Sequence, residues 1–244
     1  MQTNNNVILI TGGTSGIGLE LVRQFYSLGN KLIVISGNQD KLHQLKIRFP
    51  DISTFTCDLG NSLAVRNTID QCYITFRDIN ILINNAGIQN NYNWIDEKEG
   101  YKKIENEIQI NFSSPMQLIY GLLPLLTSKT NSAIVNVSSG LAFAPKKSAP
   151  IYCATKAAVH NATKALRYQL ETTTVKVFEI IPPLVDTKMT EGRGKGKITA
   201  KQVVDEFIED FKNDTFESNI GKTKLLRLIQ RISPKLADGI LKNG

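Results

Sequence analysis

The chain has 244 residues, 41% of them hydrophobic, which is enough for one α/β domain with a sizeable core. No apolar run approaches the roughly 20 residues that span a bilayer. The formal net charge of +7, from 29 Lys and Arg against 22 Asp and Glu, is scattered, and no basic helix with interleaved aromatics marks a nucleic-acid binder. Cys57, Cys72 and Cys153 share no metal or redox spacing, so reduced thiols and no metal site are expected. The polar start, "MQTNNN", lacks a basic region followed by an apolar core, and the expectation is a cytoplasmic protein.

In chain order, the apolar run "VILI" reads as a buried strand and passes into "TGGTSGIG", Thr11 to Gly18. Beyond it Ile17, Leu21, Phe25 and Leu28 recur at helical spacing, so Gly12, Gly16 and Gly18 sit at a strand-to-helix turn. There glycine allows a close backbone approach, and the open amides of a first helical turn make a seat for phosphate. The alternation continues through strand "KLIVIS", helix "DKLHQLKIRF", strand "STFTC", helix "SLAVRNTIDQCYITF" and strand "INILIN". A mainly helical segment from about Lys102 to Leu126 precedes a fifth strand, "AIVNVSS", and a helix from Ile151 to about Leu170. Strand "VKVFEII", a Pro- and Gly-rich stretch from Pro182 to Thr199, helix "AKQVVDEFIEDF" and a short strand near "FESNI" follow. This order predicts a single domain over residues 1–244: a doubly wound parallel sheet with helices on both faces and binding at the carboxyl ends of its strands. The stretch 182–199, without a clear period, is expected to be a substrate lid.

Four further clusters fall at strand ends: Asp58, "NNAG" (Asn84 to Gly87), "SSG" (Ser138 to Gly140) and "YCATK". Tyr152 and Lys156 in "YCATK" are four apart, which puts both on one face of a helix. A nearby ammonium favours phenolate and lowers the phenol's pKa, so proton transfer to or from an oxygen becomes feasible. A hydroxyl such as Ser139 can hold a carbonyl oxygen while charge develops on it. Asp58 reads either as a ligand contact or as a turn or helix-cap residue, and Asn84 and Asn85 as partners of buried backbone groups. His43 and His160 lack a paired carboxylate motif and read as surface or packing residues.

Taken together, "TGGTSGIG", "NNAG", Asn111, "NVSSG" and "YCATK" resemble the single-domain form of the short-chain dehydrogenase/reductase family, with its Rossmann fold, over nearly the whole chain up to about Lys188. The resemblance implies Tyr152 as general acid/base, Lys156 as the group that lowers its pKa and binds the nicotinamide ribose, and Ser139 as the residue that orients the substrate oxygen. Asn111 would hold a water that links Lys156 to solvent. It also implies cofactor contacts at Gly12, Thr14, Ser15, Gly16, Ile17 and Gly18, at Ser36, Gly37 and Asn38, at Asp58 and Leu59, and at Asn85, Ala86 and Gly87. Pro182, Val185 and Thr187 would run past the nicotinamide, with Pro183 standing where glycine is usual. Hydride would be delivered from the pro-S face.

At the end of the second strand, in "VISGNQDK", Ser36 stands where NAD-preferring members carry Asp, and Gly37 where many NADP-preferring members carry Arg. With no carboxylate to repel a 2'-phosphate, and with Ser36, Asn38 and Lys41 to hold it, NADP(H) is favoured and NAD(H) stays open. The segment "SSGLAFAPKKSAPIYCATKAAVH" resembles a bacterial oxidoreductase subgroup of unassigned substrate. Leu141, Phe143 and Met189 are expected to line the site for a carbonyl or secondary alcohol on a partly hydrophobic molecule.

Residues 222–244 form a basic amphipathic tail with Leu225, Leu228, Ile229 and Ile232 on one side. It reads either as peripheral contact with an anionic membrane or as packing on this domain or another subunit. A homodimer or homotetramer is implied by the resemblance alone. The competing class is a non-catalytic dinucleotide-binding sensor, which needs the glycine turn and Asp58 but not Ser139, Tyr152, Lys156 and Asn111 together.

Overall fold

The computed structural model describes residues 1–243. Seven strands form one parallel sheet in the order β3-β2-β1-β4-β5-β6-β9. These are β1 (Val7–Thr11), β2 (Lys31–Ser36), β3 (Ser53–Thr56), β4 (Ile81–Asn84), β5 (Ser132–Val137), β6 (Val175–Ile181) and β9 (Glu217–Asn219). Each central strand is a short run of branched apolar residues because both of its faces are covered. Ile8, Leu9, Ile10, Ile81, Leu82, Ile83, Ile134 and Val135 have no exposed surface, each contributing about 1.5–3 kcal/mol of burial.

Helices α1 (Gly16–Ser27), α2 (Gln39–Arg48) and α7 (Ala200–Lys212) cover one face. There Phe25 meets Phe211 edge-on at 6.3 Å, and Phe178 of β6 lies 4.7 Å from the same ring. The other face is covered by α3 (Ser62–Thr75), α4 (Gly100–Ile108), α5 (Ser114–Thr127) and α6 (Pro150–Gln169). The chain winds outward from β1 to β3, then crosses back to β4 on the opposite side of β1. That reversal opens a crevice at the carboxyl ends of β1 and β4, where ligands of such sheets bind.

Three local features add detail to the sequence expectation. The helical segment is broken by a wider turn over Gln109–Ser113, in which hydrogen bonds skip to the fifth residue. The stretch 182–199 is more regular than expected, since β7 (Val185–Asp186) pairs with β8 (Ile198–Thr199) and a tight turn spans Lys188–Thr190. Lys197 Nζ closes it by donating to the Thr190 carbonyl at 2.7 Å. The tail folds into α8 (Thr223–Ile232) and α9 (Pro234–Leu241). Buried Thr223 anchors α8 by donating its hydroxyl to the carbonyls of Ile220 (2.7 Å) and Ile181 (2.8 Å).

Candidate active site

The glycine turn follows β1 directly. Gly12 (φ +68°) and Gly16 (φ +54°) occupy left-handed backbone, and a Cβ on Gly18 would stand 2.2 Å from the Gly12 carbonyl oxygen. Asn85, just beyond β4, donates its amide to the carbonyls of Thr11 (3.0 Å) and Gly12 (3.2 Å). In return Thr11 Oγ1 accepts the backbone N–H groups of Asn85 and Ala86, each at 3.0 Å. The two loops flanking the crevice are thus stitched into one rigid floor. Thr11 escaped the sequence reading, although a threonine ending a strand before a glycine turn is a recognisable signal.

Ser15 precedes α1 but makes no side-chain cap, and no acidic residue occupies the first turn. The orphan amides and the positive end of the helix dipole therefore face the crevice. This cradle lies in a cleft of about 1010 Å³ that runs from Ser36, Asn38, Lys41 and Asp58 to Ser139, Tyr152 and Thr187. Its length, glycine floor and open amides fit a dinucleotide. Thr14, Ile17, Gly37, Leu59, Ala86, Gly87, Pro182 and Val185 also line it, as do Leu141 and Met189. Gly18 packs behind the turn instead of facing the cleft, and serves by leaving room for Gly12.

At the Ser36 end, the serine hydroxyl lies 3.4 Å from Thr14 Oγ1 and accepts the Asn38 amide at 3.3 Å. The Asn38 carbonyl oxygen caps α2 by accepting the Lys41 amide at 2.8 Å, leaving its NH₂ group for a ligand. Asp58 accepts the Gly60 amide at 2.8 Å, whereas Asn61 caps α3. Asp58 is therefore a turn residue that also lines the cleft, not a helix cap. Asn84 is structural, donating to Asn136 at 3.0 Å across neighbouring strands.

At the other end, Asn111 sits in the wide turn and clamps Ile88, accepting its amide at 2.8 Å and donating to its carbonyl at 2.9 Å. Tyr152 and Lys156 share one face of α6, both buried. Burial pushes the Tyr152 phenol up to about 12, against a smaller downward pull from the Ser139 hydroxyl. Burial also draws the Lys156 ammonium down to about 8, with the Glu179 carboxylate working the other way. The expected lowering of Tyr152 by Lys156 is not seen in this arrangement. Lys156 Nζ donates to the Val137 carbonyl at 2.7 Å and lies 5.7 Å from the Tyr152 ring centre, so desolvation outweighs its charge.

Two expectations need correction. His160 is a packing residue and not a surface one, and it has a carboxylate partner after all, because its Nδ1 lies 2.9 Å from Glu179 Oε2 on β6, and Ser138 donates to Glu179 Oε1. Phe143 does not line the cleft, being held edge-on against His160 at 5.1 Å beneath the Arg227 guanidinium. The tail was missed as part of the site: Leu225, Leu226, Ile229, Ile240 and Leu241 line the cleft. Leu226 and Thr223 pack on Gly140, beside Ser139. Among the described residues, no helix is long and apolar enough to cross a membrane.

Comparison with known proteins gives the family. The chain is 38% identical over 216 residues to the uncharacterized oxidoreductase DltE of Bacillus subtilis, covering 86% of this chain and 84% of that one. It is 28% identical over 211 residues to an uncharacterized oxidoreductase of Staphylococcus epidermidis, covering 84% and 90%. In fold it matches a short chain dehydrogenase from Burkholderia cenocepacia in complex with NADP, with a TM-score of 0.88, 23% identity and full coverage of both chains. A short chain dehydrogenase/reductase from Burkholderia phymatum in complex with NAD gives 0.85 at 19% identity, covering 100% of this chain and 97% of that one. The sequence model of the short chain dehydrogenase family matches residues 6–197, and the chain belongs to that family as a nicotinamide-dependent oxidoreductase acting on C=O or CH–OH groups.

Proposed function

We propose that this oxidoreductase interconverts a carbonyl and a secondary alcohol with Tyr152 as general acid/base, and that it prefers NADP(H). The observation that carries the reading is the meeting of Ser139, Tyr152 and Lys156 at one end of a cleft whose other end is a glycine cradle with open amides. When bound, the nicotinamide supplies or accepts the hydride.

The chain's own residues manage the oxygen and its proton. Ser139 Oγ donates to the substrate oxygen and holds it as negative charge develops. The Tyr152 phenol, protonated at neutral pH, gives its proton to that oxygen on reduction and recovers it on oxidation. Lys156, buried beside it, sets positive charge against the phenolate left behind. Asn111 positions this end by clamping Ile88 and donating to Thr155 at 3.2 Å, and we assign it the support of a proton path from Lys156 to solvent. Gly12, Thr14, Ser15, Gly16 and Ile17 would hold the pyrophosphate side, with Asp58 and Leu59 at the adenine and Asn85, Ala86 and Gly87 beneath the ribose. Pro182, Val185 and Thr187 would flank the nicotinamide, and the 182–199 segment would close over the substrate.

NADP(H) preference is supported by the absence of a carboxylate at Ser36 and by Lys41 in the cleft beside it, against the Asp40 carboxylate in the first turn of α2. A homo-oligomer is supported by exposed Tyr101 (89%) and Tyr120 (85%) on α4 and α5, to be checked by sedimentation velocity.

Calorimetric titration of NADPH and NADH, then turnover of aldehydes, ketones and alcohols beside Tyr152→Phe, tests the proposal. Tighter NADPH binding and turnover reduced about 10²–10⁴-fold in the variant are expected. Binding without turnover of any carbonyl or alcohol would favour a non-catalytic sensor instead.

A further inference from the structure

This inference rests on the oxidoreductase reading above and concerns the substrate. Lys146 lies between the Ser139 loop and α6, and its side chain lines the cleft that also holds Ser139 and Tyr152. Only 9% of the residue is exposed. Its backbone amide stands 3.4 Å from the Sγ of Cys153, the neighbour of Tyr152, which fixes the lysine against the first turn of α6.

A second cation joins it from the glycine-rich stretch after the tight turn. Lys146 Nζ and Arg193 Nη1 lie 3.0 Å and 3.1 Å from the same corner of the Gln89 side-chain amide. With its oxygen turned to that corner, and with the Asn91 side-chain amide turned to present its NH₂ group there at 2.7 Å, Gln89 accepts from both cations. No carboxylate answers the pair, because neither cation enters an ion pair among the described residues. Glu107, buried on α4, accepts the Asn90 amide at 3.1 Å, and burial raises its carboxyl toward the neutral form. Lys188, Lys195 and Lys222 line the same cleft.

Two cations held together by one neutral amide, with one of them buried, are costly unless an anion completes the cluster. Charge-assisted bonds from a guanidinium and an ammonium suit anionic oxygens. The cluster is separate from the Ser36 end, because β2 lies on one side of β1 and β5, which leads into Ser139 and Lys146, lies on the other.

We propose that Lys146 in the cleft wall, with Arg193 adding its charge from behind Gln89, anchors an anionic group of the substrate, a carboxylate or phosphate, while its carbonyl or alcohol reaches Ser139 and Tyr152 and its apolar part lies on Leu141, Met189 and Leu226. The natural substrate is then an acidic keto or hydroxy compound.

The test uses the full chain with saturating NADPH and three aldehydes: 4-formylbenzoate, 4-formylphenyl phosphate and the neutral methyl 4-formylbenzoate. An anionic aldehyde is expected to exceed the ester in kcat/KM by about tenfold or more, the anion that wins identifying the source of the charge. That ratio should collapse toward one in Lys146→Met and in Arg193→Met. The second variant, on a half-exposed loop, keeps the test valid should the buried substitution fail to fold. An ester turned over as well as both anions, or a ratio unchanged in the variants, overturns the proposal. Calorimetric titration of terephthalate separates this inference from the catalytic reading. If no aldehyde is turned over, terephthalate binding that Arg193→Met abolishes still upholds the anion site, and no binding overturns it.

Discussion

Lys156 Nζ reaches across the end of the sheet to the Val137 carbonyl at 2.7 Å, and this single bond fixes where the buried ammonium sits relative to Tyr152. Burial lowers its pKa to about 8 in the folded chain, while the unfolded chain keeps the ordinary 10.5. Between these values the unfolded state binds more protons, so stability rises with pH through that window, by up to about 1.4 kcal/mol per pH unit. Below pH 8 the destabilisation is fully present. Cofactor-free protein melted at pH 7.5 and 9.5 should therefore gain more stability on the alkaline side than Lys156→Met does. Equal pH responses would mean the ammonium is solvated.

Ser36→Asp tests the preference for a phosphorylated ribose. The new carboxylate would stand beside the start of α2, where a 2'-phosphate would otherwise rest, and like charges there repel. NADPH binding should weaken by about tenfold or more while NADH binding holds or improves, by calorimetry. Parallel loss of both cofactors would place the ribose elsewhere.

A methyl group at Gly18 should be felt throughout the glycine turn. The added Cβ would meet the Gly12 carbonyl at 2.2 Å and the Asn85 amide nitrogen at 2.4 Å, so the stitched floor must shift. Gly18→Ala is expected to cost about 1–3 kcal/mol and to weaken NADPH binding as well. A melting temperature and affinity equal to those of the parent chain would show that the turn yields freely.

That the candidate residues gather at the strand ends was legible in the sequence, for a physical reason. Glycines at a strand end, a tyrosine and lysine one turn apart, and a serine at the next strand end are residue types that the chemistry cannot exchange. The sheet was legible because buried parallel strands are short branched runs. His160 and Glu179 were not, since one lies within a helix and the other within a strand 19 residues away, and neither pattern announces the partner. The tail's amphipathic period was visible, but a period says that a face is apolar and not what it meets. Two-residue strands such as β7 and β8 are too short to leave a period at all.

The His160 pair makes its own prediction. Glu179 is 1% exposed and receives both the Ser138 hydroxyl and the His160 ring nitrogen. His160→Leu would leave a buried carboxylate oxygen short of a partner, at a cost of about 1–3 kcal/mol. For a chain of this size each kcal/mol lowers Tm by about 2–4 °C. His160→Gln keeps a donor and should recover part of the loss, whereas equal losses in both would assign the effect to packing against Phe143.

The tail should matter for the substrate more than for the cofactor. Its residues Leu226, Ile229 and Leu241 line the cleft, with Leu226 against Gly140, next to Ser139, and away from the Ser36 end. A chain ending at Lys224 keeps Thr223 and its bond to the Ile181 carbonyl, so the sheet end stays closed. Removing the rest of α8 and α9 strips one apolar wall. KM for a hydrophobic ketone should then rise by about tenfold, the equivalent of one buried methylene or two, while the NADPH dissociation constant changes by less than about threefold. A truncated chain that loses NADPH to the same degree would show the tail to be a support of the whole cleft, and unchanged values for both would leave it as a surface appendage.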